Sequence, residues 1–146
     1  ESLTHIHDQP GVLREAARLL RPGGRLVACV WMADAAPSGW QRRHLLGPIV
    51  EEGRLSGLPT ATDLHRWATG AGLTVERVAD VTPFVRRTWT VVIRRFLRAL
   101  LTDPDLVRTL LDASESERVF ARTIPRIWLA QHLGALRYGW LVAIRE

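Results

Sequence analysis

The chain has 146 residues, 47% hydrophobic and 24% charged, proportions that suit one globular domain with a core of its own. No apolar run reaches the roughly 18 residues of a membrane span, because Arg interrupts every candidate, and the single cysteine, Cys29, excludes an internal disulfide framework. The net charge of +5 comes from 20 basic residues that are all Arg, dispersed with pairs at 42–43, 86–87 and 94–95; this pattern argues for solvated faces and against a nucleic-acid interface.

In chain order, "QPGVLREAARLLR" at 9–21 sets Val12, Leu13, Ala16, Leu19 and Leu20 at helical spacing. Pro22-Gly23-Gly24 ends that helix. "RLVACVW" follows as an almost continuous apolar run of strand length, which predicts a strand covered on both faces, with Cys29 as a small buried thiol. Residues 33–58 read as loop with a short helix at 40–46. Thr60-Ala61-Thr62-Asp63 reads as a helix N-terminus, and that helix ends at Gly70 or Gly72. "LTVERVADV" alternates as a strand over about 73–82. From Pro83 to about Leu111 the pattern is helical, with Trp89, Val92, Ile93, Phe96, Leu97 and Leu100 on one face and an interruption near "TDPD". This face predicts packing on the chain's own domain in preference to a membrane surface. A further helix spans about Ser114 to Leu133, with Pro125 as a break or fresh start, and "LRYGWLVAIRE" closes as a strand.

Helix, strand, helix, strand, helices, strand is an α/β order. Three strands are few for a parallel sheet, and the first would leave a bare hydrophobic edge of the kind native proteins cover. Further strands before Glu1 are therefore expected. With no charged leader and apolar signal region in the chain, a cytoplasmic setting is also expected.

At "LREAARLLRPGGRLVACVW" the sequence resembles class I S-adenosylmethionine-dependent methyltransferases of the small-molecule type. "ESLTH" is similar to the segment that follows their fourth strand. "DVTPFVRRTWTVVIRRF" resembles the substrate lid of the tocopherol, sarcosine and natural-product branch, and "YGWLVAIRE" resembles their last strand. The likeness covers essentially all 146 residues, in order. It implies one domain part, 1–146, with a lid-like helical segment at about 83–135. The fold it implies is the C-terminal part of a Rossmann-like seven-stranded sheet: strands five to seven, the last antiparallel and inserted between the other two.

The resemblance implies methyl transfer from S-adenosylmethionine to an O, N or C atom of a small-molecule acceptor, with bacterial secondary metabolism as the setting. The family's Gly-rich cofactor loop follows its first strand, whereas Gly23-Gly24 precedes a strand, so the main cofactor-binding half is expected outside this chain, in cis, in trans or within a homodimer. Glu1, Ser2 and Leu3 are the cofactor-facing candidates. His5 is the candidate catalytic base, because an imidazole can accept a proton at neutral pH. Trp31, Phe84 and Trp89 are the candidates for the acceptor pocket, ahead of Trp40 and Trp128. His5-x-His7-Asp8 lacks a third distant cluster and is assigned no metal. Where some members carry a second histidine and an Asp, this chain has Thr4 and Val30, which implies an acceptor that reacts through proximity alone. The same departures favour a second reading, a truncated relative that binds a small molecule without methylating it, as a cyclase, isomerase or partner subunit.

Overall fold

The computed structural model describes residues 1–111 and 118–146. A 3-10 turn (Ser2–His5) leads into α1 (Gln9–Leu19), whose N-terminus is fixed by the Asp8 carboxylate accepting from Gly11 N at 2.8 Å. Such a cap satisfies one of the donors a helix start leaves open. At the other end Gly23 takes a left-handed φ of 74°, and the turn is stitched to the end of the chain by Gly23 N to Arg145 O at 2.7 Å and Arg145 N to Gly24 O at 2.9 Å. The Arg145 guanidinium also donates to the last carbonyls of α1, those of Ala17, Arg18 and Leu20. A cation there satisfies acceptors the helix cannot and complements its dipole.

The three strands are β1 (Arg25–Ala33), β2 (Leu73–Asp80) and β3 (Leu136–Arg145). The sheet order is β1-β3-β2, and β3 is antiparallel to both neighbours, inserted between them as expected. Register runs from Arg25 opposite Ile144 to Ala33 opposite Leu136, and a bulge at Glu76 separates Val75 from Arg77 in the pairing of β2.

One face of the sheet is packed. Leu26, Ala28, Leu141, Ala143 and Val78 meet Leu13 and Ala17 of α1 and Ala68 of α4 (Ala61–Gly70). Leu3, Val30, Met32 and Leu64 continue that core toward the carboxyl end of β1. Complete burial of side chains such as Leu13, Leu64 and Leu141 stabilises by roughly 2 kcal/mol each. The opposite face departs from the expectation of a strand covered on both sides: Val27 is 60% exposed, Cys29 is half-buried and Trp140 is exposed. The apolar run of β1 is continuous, but α1 and α4 both lie on one side of it.

The segment expected to be mostly loop is helical from residue 39 to 52: α2 (Gly39–Gln41), a π-helical turn (Arg42–Leu46) and α3 (Gly47–Glu52). A capping box between Ser38 and Gln41 starts it. Gly47 N bonds back to Arg42 O, and the wider π turn carries the helix past Gly47-Pro48 while turning Leu45, Leu46 and Ile49 inward together. α4 starts where expected, and Thr60 and Asp63 form a capping box there, with Asp63 N donating to Thr60 Oγ1 at 3.1 Å.

The helices that follow β2 are α5 (Thr82–Thr102), α6 (Pro104–Leu111) and α7 (Arg118–His132); the expected helix start at Ser114 lies outside the described residues. Pro125 sits inside α7 without ending it, because Ile127 and Ala130 pack that stretch against the core. α5 runs along α7 and buries Ile93, with Trp89, Val92, Phe96 and Leu100 half-buried; Leu97, expected on the same packed face, is 52% exposed. Among the described residues no helix is long and apolar enough to cross a membrane.

Candidate active site

The carboxyl end of β1, the start of β3 and the inner sides of α5 and α7 line a half-open cavity of about 410 Å³. Trp31 stands at its floor, placed there by the alternation of β1, and Leu136 enters from β3. Trp89 of α5 closes over Trp31 edge to face, with ring centroids 6.0 Å apart at 67°. The Tyr138 ring also meets Trp31 edge to face, with centroids 4.8 Å apart at 65°. These are the favourable offsets for aromatic rings, so three residues from three elements hold one another in place. Ile49, Leu55, Leu58 and Ile127 complete apolar walls, while Glu1, His5 and Thr123 supply polar groups.

The opening turn is fixed from two directions. Thr4 is fully buried, with its hydroxyl donating to Glu1 O at 3.1 Å and its carbonyl accepting from Ser56 N at 2.7 Å. Glu1 Oε1 accepts from the Tyr138 hydroxyl at 2.6 Å. Burial raises the Tyr138 phenol well above its ordinary pKa, and the Glu1 carboxylate and the Cys29 thiol push the same way. Tyr138 therefore stays a donor throughout the physiological range.

Two further polar networks brace the walls. Glu52 of α3 accepts from Thr123 Oγ1 at 2.7 Å and from the Arg126 guanidinium, clamping α3 to α7. Arg137 of β3 reaches Asp34 with Nε at 2.8 Å and Asp80 with Nη1 at 2.6 Å, tying together the ends of all three strands. The Asp34 carboxyl is held below its usual range by Ala36 N–H and by Arg137. For Asp80, burial pushes upward, but hydrogen bonds from Thr82 and Arg137 outweigh it and the net direction is down.

The cavity brings together Glu1, His5, Trp31 and Trp89 of the residues singled out in the sequence. The others lie elsewhere. Ser2 is exposed, and Leu3, 8% exposed, places its side chain in the core with Val30 and Met32 while its carbonyl accepts from Ile6 N at 3.2 Å. Phe84 points into solvent at 83% exposure: it lies five residues before Trp89, about 140° around α5, so the two cannot share the face that lines the cavity. Trp40 pairs with His44 on the surface, and Trp128 stacks on His132. Thr4 and Val30 are both fully buried, so neither position opens onto the cavity. Tyr138, Thr123 and Glu52 were not legible as site residues; the "RYG" of the last strand signals only strand alternation.

A family model described as a methyltransferase domain matches residues 1–78, more than half of the chain. The chain belongs to this methyltransferase family. It is 34% identical over 96 residues to 27-O-demethylrifamycin SV methyltransferase of Amycolatopsis mediterranei, a match covering 66% of this chain and 35% of that protein. Among solved structures, a sarcosine dimethylglycine methyltransferase from Galdieria sulphuraria superposes with TM-score 0.76 at 16% identity, over 100% of this chain and 51% of that one. Geranyl diphosphate C-methyltransferase from Streptomyces coelicolor A3(2) gives TM-score 0.68 at 18% identity, over 100% and 43%. The chain thus spans about a third of that curated relative and about half of the first structure. Its α/β architecture, three strands with flanking helices, is the C-terminal part of the methyltransferase fold. In this methyltransferase domain the cavity lies outside the carboxyl end of β1, where open α/β sheets bind ligands.

Proposed function

We propose that the domain supplies the acceptor side of an S-adenosylmethionine-dependent methyltransferase that modifies a small molecule with an apolar body. The observation that carries this reading is the cavity of about 410 Å³, aromatic and aliphatic on its walls, with Glu1 and His5 together among its few polar groups. That polar side fits a sulfonium: a carboxylate oriented by Tyr138 stands beside the ring of Trp31, and both groups favour a cation. The bound cofactor supplies an electrophilic methyl group. Glu1 and the backbone of Ser2 and Leu3 face the part of the cofactor nearest the acceptor, while its main binding half lies on a preceding segment in cis or on a second chain.

In this reading Trp31 and Trp89 grip the acceptor and exclude water. His5 takes the proton that an attacking hydroxyl or ammonium must lose, and Tyr138 keeps the Glu1 carboxylate in position. The likeness to 27-O-demethylrifamycin SV methyltransferase supports a natural-product acceptor, and the free Cys29 suits a reducing compartment such as the cytoplasm.

The test is methyl transfer by the intact polypeptide, supplied with methyl-labelled S-adenosylmethionine and a panel of apolar alcohols, amines and carbon acids. Label is expected on at least one acceptor, and W89A is expected to raise KM more than it lowers kcat. Tight, saturable binding of such molecules with no label transferred to any of them would favour a non-methylating binder instead.

A further inference from the structure

The cleft between α5 and α7 continues beyond the apolar cavity. Leu136 lines that cavity and also a second compartment of about 190 Å³. Along α5, Thr82 and Arg86 line the smaller space and Trp89 the larger; along α7, Gln131 lines the smaller, and Ile127 and Thr123 the larger. Each set recurs at three- and four-residue spacing, so one face of each helix serves both spaces.

Gln131 is 2% exposed, and neither its amide nitrogen nor its amide oxygen has a partner. Among the described residues the buried side-chain polar atoms without partners are these two and Trp128 Nε1, all on one turn of α7. A carboxamide offers two N–H donors and an acceptor, and burying them unmade forfeits their hydration for nothing. A leucine of similar bulk would cost less there, so the position is chemically suited to a ligand.

Most of the surrounding polar groups are already committed. Arg137 is paired with Asp34 and Asp80, Asp80 Oδ1 accepts from Thr82 N at 2.9 Å, and Thr82 Oγ1 accepts from Tyr138 N at 2.8 Å. His132 Nδ1 lies 2.7 Å from Trp128 O. The Arg86 guanidinium, exposed at the mouth, has no ion pair among the described residues. What remains available is the Gln131 amide, the second ring nitrogen of His132 and the positive charge of Arg86, next to an Arg137 shared between the carboxylates of Asp34 and Asp80. We propose that this compartment binds a carboxylate, held between the Gln131 amide N–H and the Arg86 guanidinium. A phosphate dianion fits less well, since a single unpaired cation faces it and the Asp80 carboxylate stands in the same wall.

The carboxylate belongs either to a free small acid or to the end of an acceptor whose apolar body lies past Leu136 against Trp89; the second case rests on the function proposed above. Both are tested on the intact polypeptide by thermal shift with sodium acetate and sodium octanoate, against sodium chloride at matched ionic strength, with no cofactor present. Acetate is expected to raise the melting temperature saturably where chloride does not. Q131L and R86A are each expected to weaken acetate about tenfold, the loss of one charge-assisted or amide hydrogen bond. Without acetate, Q131L is expected to be at least as stable as the wild type.

If octanoate binds more tightly than acetate and W89A removes only that gain, the acid is the end of the acceptor; equal affinities identify a free small acid. The proposal is overturned if acetate gives no saturable shift beyond chloride, if both variants bind it unchanged, or if Q131L is destabilised without ligand. None of these readouts involves methyl transfer, so the site can fail while the methyltransferase reading stands, and the reverse.

Discussion

The Tyr138 hydroxyl donates to Glu1 Oε1 at 2.6 Å, joining the last strand to the turn that opens the chain. Y138F keeps the ring against Trp31 and deletes only this bond. A loss of about 1 kcal/mol is expected, below the roughly 1.5–3 kcal/mol of a hydrogen bond to a charged group, because the pair is solvent-exposed. The sign with pH follows from the raised phenol pKa. Above roughly pH 10 an unfolded Tyr ionises while the folded one stays protonated, so the wild type loses stability as pH rises there and Y138F does not. Urea midpoints of the two proteins at neutral and alkaline pH check this; a gap that widens above pH 10 would contradict it.

Arg137 links Asp34 and Asp80, and both carboxyls are held below their usual range. A depressed carboxyl contributes stability above its unfolded value, about 3.9, and that contribution is lost as pH falls through the folded value. R137A is therefore expected to be less stable at pH 7 by roughly 1 kcal/mol, discounted for partly exposed partners. The difference should shrink below about pH 4 as the carboxyls protonate. Denaturant midpoints across pH 2 to 7, to be taken at about one-unit steps, read it directly; a constant difference at all pH would mean that the side chain acts through packing alone.

For His5 the expectation concerns rate. If it removes a proton from the acceptor, H5Q lowers kcat by about 10²–10⁴ with little change in KM. A fall of less than about threefold would leave proximity as the whole of catalysis at this site.

How much of this was legible in sequence depends on the range of the interaction. Local signals were mostly reliable: the helix start at Thr60–Asp63, the Gly23-Gly24 turn and the α1 stripe each depend on residues a few positions apart, although Leu19 of that stripe is 69% exposed and Ala17 is buried in its place. The helix over 39–52 was mostly missed because Gly39, Gly47 and Pro48 read as breakers, whereas tertiary burial of Leu45, Leu46 and Ile49 carries the chain through them. Trp31 and Trp89 were legible as pocket candidates because aromatic residues suit apolar ligands, but Phe84, equally aromatic, required knowing which way α5 faces. Tyr138 and Gln131 could not be found at all, since their roles come from partners, or missing partners, far away in the chain.

Gly139 marks the tightest point of the sheet, between Val30 and Asp80 on its two neighbours. A Cβ there would lie 2.2 Å from Met32 Cε and 2.9 Å from Ala79 O. The Met32 methyl is the end of a flexible chain but is almost fully buried, and the carbonyl belongs to β2 itself, so relief requires a strand to move. G139A is expected to cost about 1–3 kcal/mol, the usual penalty for overpacking. Adding M32A removes the sulfur and the methyl but leaves the carbonyl, so the double variant should recover only part of what G139A loses beyond the cost of M32A alone. A double-mutant cycle on urea midpoints measures that coupling. Full recovery would mean that β2 yields readily, and the start of β3, with Arg137 and Tyr138, would then be a softer support for the cavity than its hydrogen bonds indicate.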